Sequence, residues 1–129
     1  MLSLPPSVRI FVCRQPTDMR RSFDALAVQV CDIIQEDPQS GHLFVFFNKR
    51  RDKVKILWWD RAGYILLYKR IELGRFHIYD RAAGSEQSFE LPASELALIL
   101  EGIDLRAAHR RLAHDDLFFD KRGYSACHA

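Results

Sequence analysis

The sequence predicts an α+β domain: an antiparallel β-meander sheet of four or five strands, with two helices packed on it and a C-terminal extension. Two observations carry this prediction. Three successive stretches, Leu43–Phe47, Lys53–Trp59 and Tyr64–Ile71, are rich in β-branched and aromatic residues, and short turn-forming segments divide them. On either side lie stretches whose apolar residues recur at helical spacing, one after Pro16 and one opening at Pro92.

From the N-terminus, Pro5 and Pro6 close a short lead-in and Val8–Cys13 reads as a first strand. A helix is expected over Asp18–Gln35. Pro16 is disfavoured inside it, Thr17 or Asp18 can cap it, and Met19, Phe23, Leu26, Val30 and Ile33 or Ile34 fall on one stripe facing the sheet. Pro38 stops it and Gly41 lets the chain turn into the meander. The second meander turn, Asp60-Arg61-Ala62-Gly63, has the residue pattern of a type I turn. After it, Glu72–Glu86 reads mostly as loop, Ser88–Leu91 as a returning strand, and Ala93–Glu101 as the second helix. Gly102 is placed to end that helix in a Schellman motif, with Ile103 folding back. The domain is expected to span 1–105, leaving 106–129 as a partly helical tail in which Leu117-Phe118-Phe119 can dock on the body or on a partner.

The chain has 129 residues, 48% of them apolar and 28% charged, which is enough to bury a core without staples. It lacks a run of about 18 apolar residues or a basic start leading into an apolar core, so a cytoplasmic protein without membrane contact is expected. Cys13, Cys31 and Cys127 form no CxxC pair and read as reduced thiols.

Charge is unevenly spread. Between Asn48 and Arg81 stand ten cations and four acids, a local net charge of +6 in a chain whose total is +2. The first meander turn, Asn48-Lys49-Arg50-Arg51-Asp52, holds the densest group. Lys53, Lys55, Leu57 and Trp59 then share one face of the next strand, since side chains alternate. Cations beside an indole suit nucleic acid, with ammonium and guanidinium groups on phosphates and an aromatic plane on a base or sugar. The candidate nucleic-acid-binding set is Lys49, Arg50, Arg51, Lys53, Lys55, Trp59, Lys69, Arg70 and Arg75. Three alternatives stand beside it: a protein-docking surface, edge-strand cations that merely keep the sheet from pairing with other chains, and a helix covering Leu57 and Trp59 while the lysines reach outward. Arg20, Arg21 and Asp24 lie away from the apolar stripe, where Arg20 and Asp24 are spaced for an ion pair on a solvated face, or extend the basic surface if the helix start lies beside the Asn48 turn.

Catalysis finds little support. Asp18, Asp24, Asp52, Asp60 and Glu72 have the chemistry to bind Mg²⁺, yet Asp60 suits its turn, Asp18 its helix start and Asp52 its basic neighbours. His109, His114, Cys127 and His128 lack structural-zinc spacing. No catalytic residue, metal or cofactor is assigned.

The motifs Pro16-x-Asp18-Met19-Arg20-x-Ser22-Phe23-Asp24-x-Leu26-Ala27, Asp37-Pro38-x-Ser40-Gly41-x-Leu43-Phe44-Val45-Phe46 and Asn48-x-Arg50-x-Asp52 together resemble the transposon accessory protein TnpB of the insertion sequence 66 family. Lys55-Ile56-Leu57-x-Trp59-Asp60, Tyr68-Lys69-Arg70-Ile71-Glu72-x-Gly74-Arg75-Phe76 and Leu100-Glu101-Gly102-Ile103-Asp104 extend the resemblance over Val8 to Asp104. The chain departs from the family pattern in having Ile78-Tyr79 where a Trp-Pro pair is expected, and in a longer tail. The resemblance implies a non-catalytic accessory to transposition, working with a separate transposase that carries the acidic triad. The implied partners are DNA, as transposon ends, and the transposase of the same element; the open alternatives are an adaptor that docks on the transposase without touching DNA, and a homo-oligomer.

Overall fold

The computed structural model describes residue 5, residues 7–79 and residues 86–105. Its strands are β1 (Ile10–Cys13), β2 (Leu43–Phe47), β3 (Lys53–Asp60), β4 (Gly63–Arg70) and β5 (Ser88–Glu90), and its helices are α1 (Phe23–Gln29) and α2 (Ala93–Leu100). The five strands form one sheet in the order β4-β3-β2-β1-β5, so the chain has the expected α+β class and the expected meander. One pairing departs from the antiparallel pattern. β1 and β2 run parallel, Phe11 beside Phe44 and Val12 beside Val45, because the segment carrying α1 crosses over one face of the sheet before β2 begins.

Both faces are covered, and strand alternation decides what goes where. Phe11, Phe44, Phe46 and Leu57 pack with Leu26, Val30 and Ile34 on the α1 side. Ile10, Val45, Phe47 and Ile56 pack with Leu96, Ile99 and Leu100 of α2 and with Phe76 on the other. All five residues of β2 are buried, which accounts for its unbroken apolar run at the centre of the sheet.

The expected first helix is shortened and redirected. The N-terminal cap of α1 is Ser22, not Thr17 or Asp18. The Thr17 N–H donates to the Phe47 carbonyl (2.8 Å) and the Arg21 N–H to the Asp18 carbonyl (3.1 Å), so residues 17–21 form a turn tied to the end of β2. A helix from Asp18 would aim the Met19 and Arg21 carbonyls at the N–H groups of Phe23 and Ala25. They accept from the Lys55 ammonium instead, at 2.7 and 2.6 Å. Phe23 consequently starts the helix at its rim with 43% exposure, and its expected place in the core is corrected to one at the surface. Beyond Gln29 the helix widens into a π-turn, Val30–Ile34, which moves Ile34 into the core and leaves Ile33 half-buried.

The β3–β4 turn also differs from expectation. Arg61 has φ of 56°, so the turn belongs to the primed class that matches strand twist in a two-residue hairpin, not to type I. The Schellman ending of α2 is present: Gly102 has φ of 80°, its N–H donates to the Ile99 carbonyl (2.9 Å), and the Ile103 N–H donates to that of Leu98 (3.1 Å). Cys13 and Cys31 are free thiols, one buried and one exposed. The expected tail 106–129, with Leu117–Phe119, His109, His114, Cys127 and His128, lies outside the described residues.

Candidate functional site

The β2–β3 turn is built around Asn48. Its N–H donates to the Lys53 carbonyl (3.2 Å), its Oδ1 accepts the N–H groups of Asp52 and Lys53 (3.1 Å each), and its Nδ2 donates to the Asp52 carboxylate (2.6 Å). The Asn48 bond, aided by the charges of Arg50 and Lys53, holds the Asp52 carboxyl below its usual range. Asp52 is thereby occupied in shaping the turn that displays its basic neighbours.

Two further bonds fix the turn to the body. The Phe76 N–H donates to the Arg51 carbonyl (2.6 Å) and the Ile71 N–H to the Asp52 carbonyl (2.8 Å), and the Phe76 ring is fully buried. The same anchoring brings Arg75 to one depression with Lys49 and Arg51. Arg51 itself sits at φ of 58°, a left-handed conformation that costs a non-glycine residue roughly 1 kcal/mol or more. A glycine would relieve that strain at the cost of a cation.

Beside the turn, the 17–21 segment closes a cleft of about 400 Å³ lined by Thr17, Asp18, Met19, Arg20, Asn48, Lys49, Arg50, Lys53 and Tyr68. Arg20 clasps Asp18 with its Nε and one terminal nitrogen (2.7–3.1 Å), and the Arg20 N–H adds a bond of 2.9 Å. These bonds pull the Asp18 carboxyl down to about 2. The expected Arg20–Asp24 pair is therefore corrected to Arg20–Asp18, the nearer carboxylate being preorganised by the turn. With Arg20 neutralised locally, the positive field of the cleft comes from Lys49, Arg50 and Lys53. Among the described residues, no carboxylate lies within ion-pair distance of Lys49, Arg50, Arg51, Lys53 or Arg75.

The remaining sequence candidates do not gather here. Lys55 is only 5% exposed; burial lowers its pKa, Asp18 partly restores it, and its ammonium serves the Met19 and Arg21 carbonyls rather than solvent. Trp59, about 20 Å along β3 from Lys53, is half-buried with its ring edge-on to Tyr64 at 5.0 Å. Lys69 stands on the opposite face, where its Nζ donates to the Leu100 carbonyl (2.6 Å) near the end of α2. Arg70 is directly across from Lys53, and its Nε contacts the Glu72 carboxylate at 3.0 Å. The alternation that placed Lys53, Lys55 and Trp59 on one face holds; burial and distance divide them.

Sequence reasoning missed Tyr68, Asn48 as the organiser of the turn, and a polar network below the cleft. In that network the Gln29 amide donates to the Thr17 hydroxyl (2.9 Å) and accepts from Arg21 (2.7 Å). Tyr68 was within reach of the sequence. Pairing Asp60 with Gly63 across a two-residue turn sets Tyr68 opposite Lys55 on the basic face. The Gln29 network carries no periodic signal, because a buried glutamine breaks the apolar stripe.

Among the described residues no three His, Cys, Asp or Glu side chains converge on a metal position, and no helix is long and apolar enough to cross a membrane. Fold and site together define a small protein whose sheet is covered on both faces and presents a pinned basic hairpin. Residues 8–110 match the family described as IS66 Orf2 like protein, and the chain belongs to that family. Membership ties it to insertion-sequence transposition in an accessory role, in a family not known for an enzymatic activity. It is similar to two proteins of Sinorhizobium fredii (strain NBRC 101917 / NGR234). To "Uncharacterized protein y4hO" it is 34% identical over 106 residues, covering 82% of this chain and 90% of that one. To "Uncharacterized protein y4jC" it is 32% identical over 111 residues, covering 86% and 92%. No solved structure gives a significant match.

Proposed function

We propose that the chain binds DNA, as the ends of its transposon, through the tip of the β2–β3 hairpin and the cleft beside it, and so assists a separate transposase. The residues that meet DNA are Lys49, Arg50, Arg51, Lys53 and Arg75. Lys55, Trp59, Lys69 and Arg70 are left out because their positions or partners withhold them from that surface.

One observation carries the reading. Cations without a carboxylate partner among the described residues cluster on a turn that is bracketed by Asn48 and anchored by Phe76, and one of them, Arg51, occupies a strained backbone position. Cations whose purpose was only to keep an edge strand from pairing would stand along β4 or β5, the edges of the sheet, as Lys69 and Arg70 do, and not on the turn between the inner strands β2 and β3. Preorganised cations lose little entropy on meeting phosphates, and each phosphate they neutralise releases counterions.

The test is a mobility-shift titration of the purified chain against DNA carrying the element's terminal sequence and against unrelated DNA of equal length, at several salt concentrations. Binding that weakens steeply with salt supports the reading. Absence of binding at low salt, with the transposase still retained on the immobilised chain, would favour the adaptor instead.

A further inference from the structure

We infer that the cleft takes an unpaired stretch of the DNA strand, with Tyr68 as the stacking platform for a base; this rests on the DNA-binding reading above. Tyr68 is 52% exposed, the first of the three exposed residues that end the edge strand β4, and it lines the same cleft as Lys49, Arg50 and Lys53. One side of its ring is occupied. The Lys55 ammonium stands 4.6 Å from the ring centre, itself fixed by the Met19 and Arg21 carbonyls, so the ring is held from behind while the rest of it meets the cleft.

That arrangement separates two modes of binding. Duplex DNA offers phosphates to the hairpin tip but keeps its bases stacked inside, leaving an aromatic platform with nothing to stack on. A strand with unpaired bases satisfies both parts: its backbone follows Lys49, Arg50 and Lys53, and a base lies on Tyr68. The cleft is shallow and open to solvent, so a base reaches the Tyr68 ring without opening the fold. Phe23, the other exposed Phe, Tyr or Trp of the described residues, does not line this cleft.

The experiment is fluorescence anisotropy of the full chain with a labelled oligothymidylate of about twelve nucleotides and with a duplex of the same length, for wild type, Tyr68→Phe, Tyr68→Leu and Tyr68→Ala, each checked for folding by its thermal midpoint. The expected result is tighter binding of the single strand by wild type and Tyr68→Phe, a loss of roughly tenfold or more for that strand in Tyr68→Leu and Tyr68→Ala, and duplex binding nearly unchanged in all four. Tyr68→Leu keeps apolar cover over Lys55, so it reports stacking even if Tyr68→Ala unfolds. Equal or tighter binding of duplex, with no effect of the Leu variant on the single strand, overturns the inference and leaves the DNA reading standing. No binding of either oligonucleotide overturns both.

Discussion

Replacing Lys55 with Met should destabilise the fold by about 1–3 kcal/mol, a prediction that sets opposing terms against each other. The ammonium makes two short bonds to the Met19 and Arg21 carbonyls, and hydrogen bonds to a charged group contribute roughly 1.5–3 kcal/mol each. Against that loss stands the recovered cost of burying an ammonium, several kcal/mol in a protein interior, together with the good fit of a thioether in the same slot. Arg21 is exposed and Met19 half-buried, so water reaches part of what the substitution orphans and the full penalty of an unsatisfied carbonyl is not incurred. The residual should appear as a lower urea midpoint with unchanged slope, and as a fall in melting temperature of about 4 °C per kcal/mol. Amide exchange should show the loss concentrated in residues 17–26, where Lys55 holds the turn. A variant as stable as wild type, or more so, would refute the claim that this lysine sets where α1 begins.

The contrast between Phe23 and Leu26 tests the revised helix register: Leu26→Ala should cost about 2–5 kcal/mol, as its side chain is fully buried, whereas Phe23→Ala should cost under about 1 kcal/mol, both read from urea unfolding. Acid titration tests the Arg20–Asp18 clasp. The Asp18 carboxyl titrates at about 2 in the fold against an ordinary 3.8, so its contribution is present above the higher value and disappears as the pH falls towards the lower one. The stability difference between wild type and Asp18→Asn should therefore shrink over that window, and a difference that is constant with pH would mean that Asp18 titrates normally.

The strands were legible because they depend on local pattern: an unbroken apolar β2, an alternating β3, and turn residues between them leave few other solutions. The start of α1 was not legible, because it is decided by a lysine on a strand 34 residues away whose ammonium takes the carbonyls a longer helix would need. The same bond explains why a charge count overstates the basic surface, since Lys55 adds to net charge while contributing nothing to the exterior. Lys69 misleads for a related reason, its ammonium being drawn to the Leu100 carbonyl near the end of α2. Lys49, Arg50 and Arg51 were legible as a candidate site from composition alone, but the rigidity of their turn comes from Asn48 and Phe76, whose roles emerge only from the hydrogen bonds.

The most direct test of the central claim is the slope of log affinity against log salt for transposon-end DNA, compared between wild type and a variant carrying Lys49→Ala, Arg50→Ala and Arg51→Ala. Because these side chains are exposed, the thermal midpoint should barely move, within the roughly 0.5 kcal/mol typical of surface changes. If all three neutralise phosphates, the slope should become shallower by about 0.7–0.9 for each phosphate that the variant no longer neutralises, with weaker binding at every salt concentration. An unchanged slope in a folded variant would show that the hairpin tip does not touch the DNA backbone, contradicting the account.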